Sequence, residues 1–209
     1  PLGLAIIEHL LSFPDVSFVL AVGKERRPSD LVDSRRLRYI SADLRHTRTA
    51  HDLVWGEARS HLVDTVIHAA QHRGAHDSGR RVHLQNVEST RALLVACEDH
   101  PSIRRFLLRS FAEVYATPQT TTQLLGEDDP LELDPGAPQW VRDRVEADLT
   151  ACAHAGGTLK VAVLRCAELI APDSGSQLWD YLMSRVCLRP FGYDPMINVL
   201  SLADAARAF

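Results

Sequence analysis

Three histidines of this 209-residue chain have a spacing that could bind a metal ion. His68, His72 and His76 follow one another at intervals of four residues, a spacing that suits a metal ion when all three lie on one helix. Here the spacing begins at the end of an apolar run and continues through Arg73-Gly74, which is typical of a loop. We therefore expect no metal site.

The cysteines also argue against metal or redox chemistry. No Cys-x-x-Cys pair occurs, and we expect Cys152 and His154, two residues apart, not to bind metal. The thiols are predicted to be reduced and mostly in the core, as is usual in a reducing compartment. The four cysteines are widely separated: Cys97, Cys152, Cys166 and Cys187.

A helical pattern near the middle of the chain carries a second candidate group. Residues 138–149 read Pro-Gln-Trp-Val-Arg-Asp-Arg-Val-Glu-Ala-Asp-Leu, with Trp140 and Arg144 four residues apart. An indole N–H is a hydrogen-bond donor without a usable acidic pKa, so Trp140 cannot act as a general acid or base. Arg144 carries a permanent charge that can bind a ribose or a phosphate.

Composition limits the class of protein. The chain is 45% hydrophobic and 24% charged, enough to form one globular domain with a substantial core. Its net charge of −4 and pI of about 6.2 argue against a dedicated nucleic-acid or anionic-membrane binder. No apolar run reaches the length of a membrane span and no signal-peptide pattern opens the chain, so we predict a cytoplasmic protein.

Apolar runs and amphipathic patterns alternate along the chain. A helix over residues 4–11 ends before Pro14, and the other patterns indicate five buried strands and three further helices. This alternation predicts an α/β fold with a doubly wound, Rossmann-type parallel sheet. The predicted strands are residues 17–22, 37–41, 63–68, 103–108 and 159–164, and the predicted helices are residues 47–62, 80–98 and 138–155.

The chain divides near Arg165. Residues 1–165 are predicted to form the Rossmann-type dinucleotide-binding domain, within which the polar stretch 117–137 is a surface loop. Residues 166–209 are irregular, contain several Gly and Pro residues, and end in a helix starting near Leu202. We expect them to form a small irregular C-terminal lobe, part of a substrate lobe of the same domain.

Several segments, in this order and spacing, resemble the extended short-chain dehydrogenase/reductase family of NAD-dependent epimerases and dehydratases. Gly3 resembles the third glycine of the glycine-rich turn, and the helix at 138–149 resembles the active-site helix. The other matching segments are Ile-Ser-Ala-Asp-Leu at 40–44, Asp-Thr-Val-Ile-His-Ala-Ala at 64–70, Asn-Val-Glu-Ser-Thr-Arg-Ala-Leu-Leu at 86–94, Phe-Leu-Leu-Arg-Ser-Phe-Ala-Glu-Val-Tyr-Ala at 106–116, Leu-Arg-Cys at 164–166, and residues 199–206.

The resemblance implies a degenerate active site. The family's Tyr-x-x-x-Lys pair is replaced by Trp140 and Arg144, and its strand-end hydroxyl by Phe111. Ser110 lies one residue early, where a strand points its side chain to the other face. Tyr115 corresponds to a residue that packs in the family's core. Ser110 and Tyr115 are the two rescue candidates, hydroxyl groups that could take over the role of the replaced catalytic residues.

Two carboxylates close to the predicted cleft complete the candidate acids and bases. Glu113 and Asp143 are expected to be solvated charges on the protein surface. With both carboxylates in solvent, no catalytic residue is predicted.

For the cofactor, the resemblance implies a nucleotide crevice. Arg26 and Arg27 follow the first predicted strand, where an acidic residue would accept the ribose hydroxyls of NAD, so NADP is favoured over NAD. A solvated basic loop without any cofactor remains the alternative. The other predicted cofactor-binding residues are Gly3, Asp43, Leu44, Ala69, Ala70, Asn86 and Arg144.

The resemblance also implies partners and a missing element. A homodimer is expected through helices 80–98 and 138–155. The family's central strand and first glycines are absent, and without them the neighbouring strands would lack partners, so we expect a longer parent polypeptide that continues on both sides of residues 1–209.

The predicted function is therefore that of a catalytically degenerate protein acting by nucleotide or protein binding, as a regulator, scaffold or accessory domain. The alternative is an NADP-dependent reductase or sugar-nucleotide epimerase/dehydratase that uses atypical catalytic residues.

Overall fold

The computed structural model of the protein describes residues 1–72, 74, 78–116, 125–188, 191–192 and 197–209. Five parallel strands occupy the positions predicted from the sequence. β1 (Val19–Gly23) pairs with β2 (Leu37–Ser41), and β4 (Arg105–Phe111) lies between β3 (Thr65–His68) and β5 (Lys160–Cys166). The predicted α/β class with a parallel Rossmann-type arrangement is confirmed.

The strands form two hydrogen-bonded groups rather than one continuous sheet. Among the residues that the structure describes, β1 and β3 do not pair, so β1–β2 and β3–β4–β5 are separate sheets. Helix α1 (Leu2–Ser12) packs against both of them. Its buried residues Leu2 and Ile6 share an apolar cluster with Ile67 and Ala69, at and just beyond the end of β3. This helix therefore connects the two strand groups through side-chain packing.

The predicted helices are also present, but two of them contain π-helical segments that the sequence does not indicate. α2 (Thr47–Asp52) continues as a π-helical segment over Leu53–Ala58. α3 (Arg80–His83), a π-helical segment (Leu84–Glu88) and α4 (Ser89–Glu98) together form the predicted 80–98 helix. α5 (Gln139–Ala153) begins directly after Pro138, which cannot donate a backbone hydrogen bond. α4 and α5 pack side by side.

The main core lies between these helices and the three-stranded sheet. Apolar side chains from β4, α4 and α5 are almost completely removed from water there. At about 25 cal/mol per Å² of apolar surface, this burial supplies the main stabilisation that fixes the strand ends. The fully buried members are Ala50, Leu94, Cys97, Phe106, Leu108 and Ala151.

The C-terminal lobe is more regular than the sequence predicts. β6 (Glu168–Ile170) pairs in parallel with β7 (Val199–Ser201), and α6 (Gln177–Leu182) and α7 (Leu202–Ala208) each begin at a serine that caps the helix. Strands of three residues are too short to produce an alternating pattern, so the sequence alone does not reveal β6 and β7. α7 packs against α1.

Part of the predicted surface loop lies outside the described residues, at 117–124. The described part begins with exposed residues and returns to the core, where Leu131 forms a β-bridge with Tyr115 and Ala137 is buried. In the described ranges, no helix combines the length and apolar character needed to cross a bilayer.

Candidate functional site

The carboxyl end of β4 holds a stack of aromatic rings and arginines. Phe111, the last residue of β4, is 3% exposed. The guanidinium carbon of Arg144, in the second turn of α5, lies 3.7 Å from the centre of the Phe111 ring and 4.8 Å from that of Trp140. The guanidinium of Arg109 lies 3.9 Å from the Phe111 ring. These distances are within the range of cation–π attraction, so Phe111 holds two buried cations.

Two carboxylates accompany these cations. Glu113 lies just beyond β4, with an oxygen 3.5 Å from Nη1 of Arg144. Burial raises the pKa of Glu113, Arg144 opposes the rise, and the neighbouring Glu168 adds to it. Burial lowers the pKa of Arg144, while both glutamates oppose that change. The site is therefore a compact cluster of opposite charges around an aromatic ring.

A small cavity adjoins this cluster. Its free volume of about 10 Å³ is close to the space needed by one water molecule. The walls come from the end of β4, from α5, from β6, and from the segment that leads into α6. The lining residues are Arg109, Phe111, Glu113, Arg144, Glu168, Leu169, Ser174, Gly175, Ser176 and Gln177.

The hydroxyl groups named as rescue candidates belong to a different network. Ser110 donates a hydrogen bond of 2.5 Å to the fully buried carboxylate of Asp148. Arg165 donates two hydrogen bonds, of 3.0 and 2.8 Å, to the same carboxylate. Arg165 also donates to the hydroxyl of Tyr115 at 2.8 Å. Ser110 and Tyr115 thus anchor β4 and the following segment to β5 and α5.

The two carboxylates expected at the surface lie in less solvated positions. Asp143 is 4% exposed, accepts a hydrogen bond from Gln139 at 3.3 Å, and lies 3.0 Å from Nδ1 of His83. It faces the 80–98 helix, against which α5 packs, so the expectation of a solvated charge was wrong for Asp143. It was also wrong for Glu113, which is half-buried and paired with Arg144.

Three of the residues predicted to bind cofactor lie at the ends of α1 and β2. Gly3 is exposed in the first turn of α1, and a side chain added there would meet no heavy atom within 4 Å. Asp43 accepts hydrogen bonds from Arg45, which hold its pKa well below the ordinary range. Leu44 packs against the main core. The Asp43 carboxylate is therefore already paired with a cation.

Three more predicted residues surround the segment that follows β3. Asn86, 1% exposed, accepts a hydrogen bond of 2.6 Å from the backbone N–H of His72. Gln85 donates to the carbonyl of Ala70 at 3.5 Å. Ala69 packs against the apolar face of α1. Asn86 thus fixes the path of the chain at the carboxyl end of β3.

The two arginines predicted to meet a 2′-phosphate are exposed after β1. Arg27 forms an ion pair with Asp33 and donates to the carbonyl of Val32, which closes the loop on itself. Arg26 lies next to it. Gly23 is the last residue of β1, and only a residue without a side chain fits there because a β-carbon would overlap the hydroxyl of Tyr39.

The histidine spacing does not form a metal site in the described part of the chain. His68 is buried at the end of β3, and burial lowers its pKa to about 4. His72 lies in the segment held by Asn86, and His76 lies outside the described residues. Within the residues that the structure describes, no group of three metal-binding side chains occurs.

The remaining Cys–His pair is engaged separately. Cys152 contacts Asp148, with its sulfur 3.6 Å from Oδ1, whereas Nδ1 of His154 lies 2.8 Å from the carbonyl of Thr150.

Solved structures share this architecture. WbmH from Bordetella bronchiseptica, solved in complex with NAD+, superposes on 100% of this chain and 67% of its own, with a TM-score of 0.76 and 18% identity. The chain has the fold of the extended short-chain dehydrogenase/reductase family. The dTDP-glucose 4,6-dehydratase DesIV from Streptomyces venezuelae, solved with NAD and TYD, matches 82% of this chain and 54% of its own at 26% identity and a TM-score of 0.63.

Sequence relatives of this short-chain dehydrogenase/reductase fold are longer than the chain. Uncharacterized proteins from Mycobacterium tuberculosis and Mycobacterium bovis are each 30% identical to it over 212 residues, which is 99% of the chain and 55% of each relative. The chain spans about half the length of these curated relatives. No protein-family model matches it.

Sequence reasoning missed two members of the charged cluster around Phe111. Arg109 directly follows the apolar residues 106–108 within β4, and a buried charge beside such a run indicates a special partner, so that signal was available. Glu168 lies in a three-residue strand without a pattern of its own. Its proximity to Arg144 arises only in the folded protein, where β6 follows directly after β5 in the chain.

Proposed function

We propose that this protein is a catalytically degenerate short-chain dehydrogenase/reductase that acts by binding a nucleotide, a protein partner, or both. The observation that carries the proposal is the stack formed by Arg144 on Phe111 and Trp140. A benzyl ring and an indole have no proton to exchange at neutral pH, and the guanidinium stays charged. The position at which the family's chemistry takes place is therefore suited to binding rather than to proton transfer.

The contacts of the remaining hydroxyl groups support the same proposal. Ser110 donates to Asp148, and Tyr115 accepts from Arg165. A general acid or base must reach the reacting atom of the substrate within hydrogen-bond distance. Both groups would first have to leave a buried network around a charged carboxylate, which is costly.

The nucleotide that we favour carries a 2′-phosphate, as NADP does. Arg26 and Arg27 are exposed at the carboxyl end of β1, where the adenosine ribose binds in this architecture. Solved proteins of the same fold carry NAD, which supports a nicotinamide nucleotide as the ligand class. Binding of a 2′-phosphate would require Arg27 to share its charge between the phosphate and Asp33.

Calorimetric titration of the purified protein with NADPH and NADH tests the nucleotide part. We expect a saturable signal that is stronger for NADPH. An Arg26→Ala, Arg27→Ala variant should lose the preference, whereas Arg48→Ala, which removes a fully solvated arginine from α2, should keep it. Without saturation by either dinucleotide, the protein would be a scaffold rather than a nucleotide sensor.

An NADP-dependent reductase or sugar-nucleotide epimerase/dehydratase is the second candidate, and Glu113 is the observation that favours it. This carboxyl group lies at the cavity, its pKa is raised by burial, and Arg144 lies 3.5 Å away. A carboxyl group beside a cavity can act as a general acid or base when it reaches the reacting atom of a substrate. Hydride transfer by the unmodified protein, abolished by Glu113→Gln or Tyr115→Phe, would favour this candidate over the first.

A revertant separates the two candidates further. The triple variant Phe111→Ser, Trp140→Tyr, Arg144→Lys restores the family's chemical groups. If the protein is degenerate, hydride transfer with a panel of nucleotide sugars and ketones should be absent before and detectable only after this change. Turnover that is equal in both proteins would contradict degeneracy at these three positions.

We also propose a homodimer through the paired helices 80–98 and 138–155. Val95 on α4 and Leu149 on α5 are 59% and 44% exposed, although the two helices pack together. Light scattering should give twice the monomer mass. A Val95→Asp, Leu149→Asp variant should be monomeric, and monomeric wild-type protein at high concentration would exclude this interface.

A further inference from the structure

We propose that the crevice accepts an adenosine mononucleotide and excludes the second nucleotide of a dinucleotide, because the protein's own side chains fill the second half of the site. This inference rests on the proposed nucleotide binding and names the ligand class more narrowly. Doubly wound sheets bind dinucleotides across two mononucleotide-binding halves, at the carboxyl ends of the strands. In this chain β1–β2 and β3–β4–β5 provide the two halves.

The first half presents exposed charged groups. The residues that follow β1, including Arg26 and Arg27, are exposed. Asp43 follows β2 and keeps about a quarter of its side chain in solvent, at 27%. Exposed cations are therefore available at this end, beside a carboxylate that is held by Arg45.

The second half is filled. Arg109, Phe111 and Arg144 are 3%, 3% and 4% exposed, and they stack directly on one another at the end of β4. The free space beside them is about 10 Å³, whereas pockets that hold small-molecule ligands usually enclose at least about 300 Å³. A flat heterocycle with its ribose does not fit without displacing the stack.

Displacement of the stack has an energetic consequence. Arg144 would lose its contacts with both aromatic rings and with Glu113 at once. Glu113 would then be a half-buried carboxylate without its cation. The favourable interactions of the second nucleotide with the protein would first have to offset this loss. The affinity for a dinucleotide should consequently not exceed that for its adenosine half.

A ligand series tests the inference on the unmodified protein. We would titrate it calorimetrically with adenosine 2′,5′-bisphosphate, ADP, NADPH, NADH and nicotinamide mononucleotide. The dissociation constant of each dinucleotide should lie within about threefold of that of the matching adenosine nucleotide. Nicotinamide mononucleotide should give no saturable signal.

A cavity-forming variant adds a second readout. Phe111→Ala removes the ring that holds both guanidiniums, and it should improve dinucleotide binding relative to adenosine nucleotide binding by at least about tenfold. Leu133→Ala, a change at a side chain that is 68% exposed, is the control and should leave the ratio unchanged. If Phe111→Ala does not fold, the ratio measured on the wild-type protein decides alone.

The possible failures are distinguishable. A wild-type protein that binds a dinucleotide at least about tenfold more tightly than its adenosine half would overturn the inference and leave the proposed nucleotide binding intact. No saturable binding of any compound in the series would overturn both.

Discussion

The guanidinium of Arg144 lies against the face of Phe111, at 3.7 Å from the ring centre. The two residues come from different elements, the end of β4 and the second turn of α5. A compact ammonium group would not cover a ring in this way, since the planar guanidinium stacks and is less strongly hydrated. Phe111 and Arg144 therefore form one unit, in which each residue type fits the other.

Replacement of Arg144 by lysine should lower stability although the charge is kept. The variant loses the stacking on Phe111 and Trp140 and weakens the contact with Glu113, for which we expect a loss of about 1–3 kcal/mol in the free energy of unfolding. Urea unfolding measures this difference. Arg48→Lys, at a side chain that is 92% exposed, should change stability by less than about 0.5 kcal/mol. Equal effects of both changes would show that the stack contributes nothing.

Ser110→Ala should destabilise the fold without altering any ligand affinity. The change removes a donor to the fully buried Asp148, and one unsatisfied site on a buried carboxylate costs about 1–3 kcal/mol. Denaturant unfolding and nucleotide titration, performed on the same preparation, separate the two effects. Ser60→Ala removes an exposed hydroxyl that donates to a backbone carbonyl, and it serves as the control. An altered ligand affinity with normal stability would place Ser110 in the binding site instead.

Much of the fold is predictable from the sequence because the strands of the parallel sheets are rich in apolar residues. Such strands appear as short apolar runs, and all five predicted runs form strands. The strand pair β6–β7 is not predictable in this way, because three residues do not establish a period. The π-helical segments likewise depend on packing between helices, which a single sequence does not encode locally.

The candidate site is predictable only in part. The replacement of functional groups at Phe111, Trp140 and Arg144 is visible in the sequence, but their stacking is a property of tertiary structure. Asp143 has the sequence context of a surface charge. It is buried because α5 turns that side towards His83 on the neighbouring helix. The orientation of α5 about its axis therefore determines which of its charged side chains are buried, and composition alone does not reveal that orientation.

Gly23→Ala should destabilise the β1–β2 pair because the added methyl group overlaps the hydroxyl of Tyr39. Overpacking of this kind costs about 1–3 kcal/mol. The hydroxyl itself donates to the carbonyl of Glu25 at 2.8 Å. Tyr39→Phe removes the overlapping atom, so the double variant should recover most of the loss caused by Gly23→Ala. If the loss of unfolding free energy in the double variant equals the sum of the losses in the two single variants, this contact is not the cause of the destabilisation.

The stability of the protein should fall as the pH is lowered from 6.5 to 4, and His68 should cause part of that fall. Burial lowers the pKa of its imidazole to about 4 from an ordinary value of 6.5. Between these values the unfolded chain holds a proton that the folded protein does not, so the contribution is complete above pH 6.5 and is lost towards pH 4. The difference amounts to about 3 kcal/mol.

Urea unfolding at pH 7 and pH 5 measures the contribution of His68 when a non-titrating variant is compared. His68→Leu should show a smaller loss of stability between the two pH values than the wild-type protein, whatever its stability at pH 7. His51→Gln, at a side chain that is 61% exposed, is the control and should keep the wild-type dependence. If His68→Leu and the wild-type protein lose the same free energy, then His68 takes up its proton equally in the folded and unfolded states, and the end of β3 admits water.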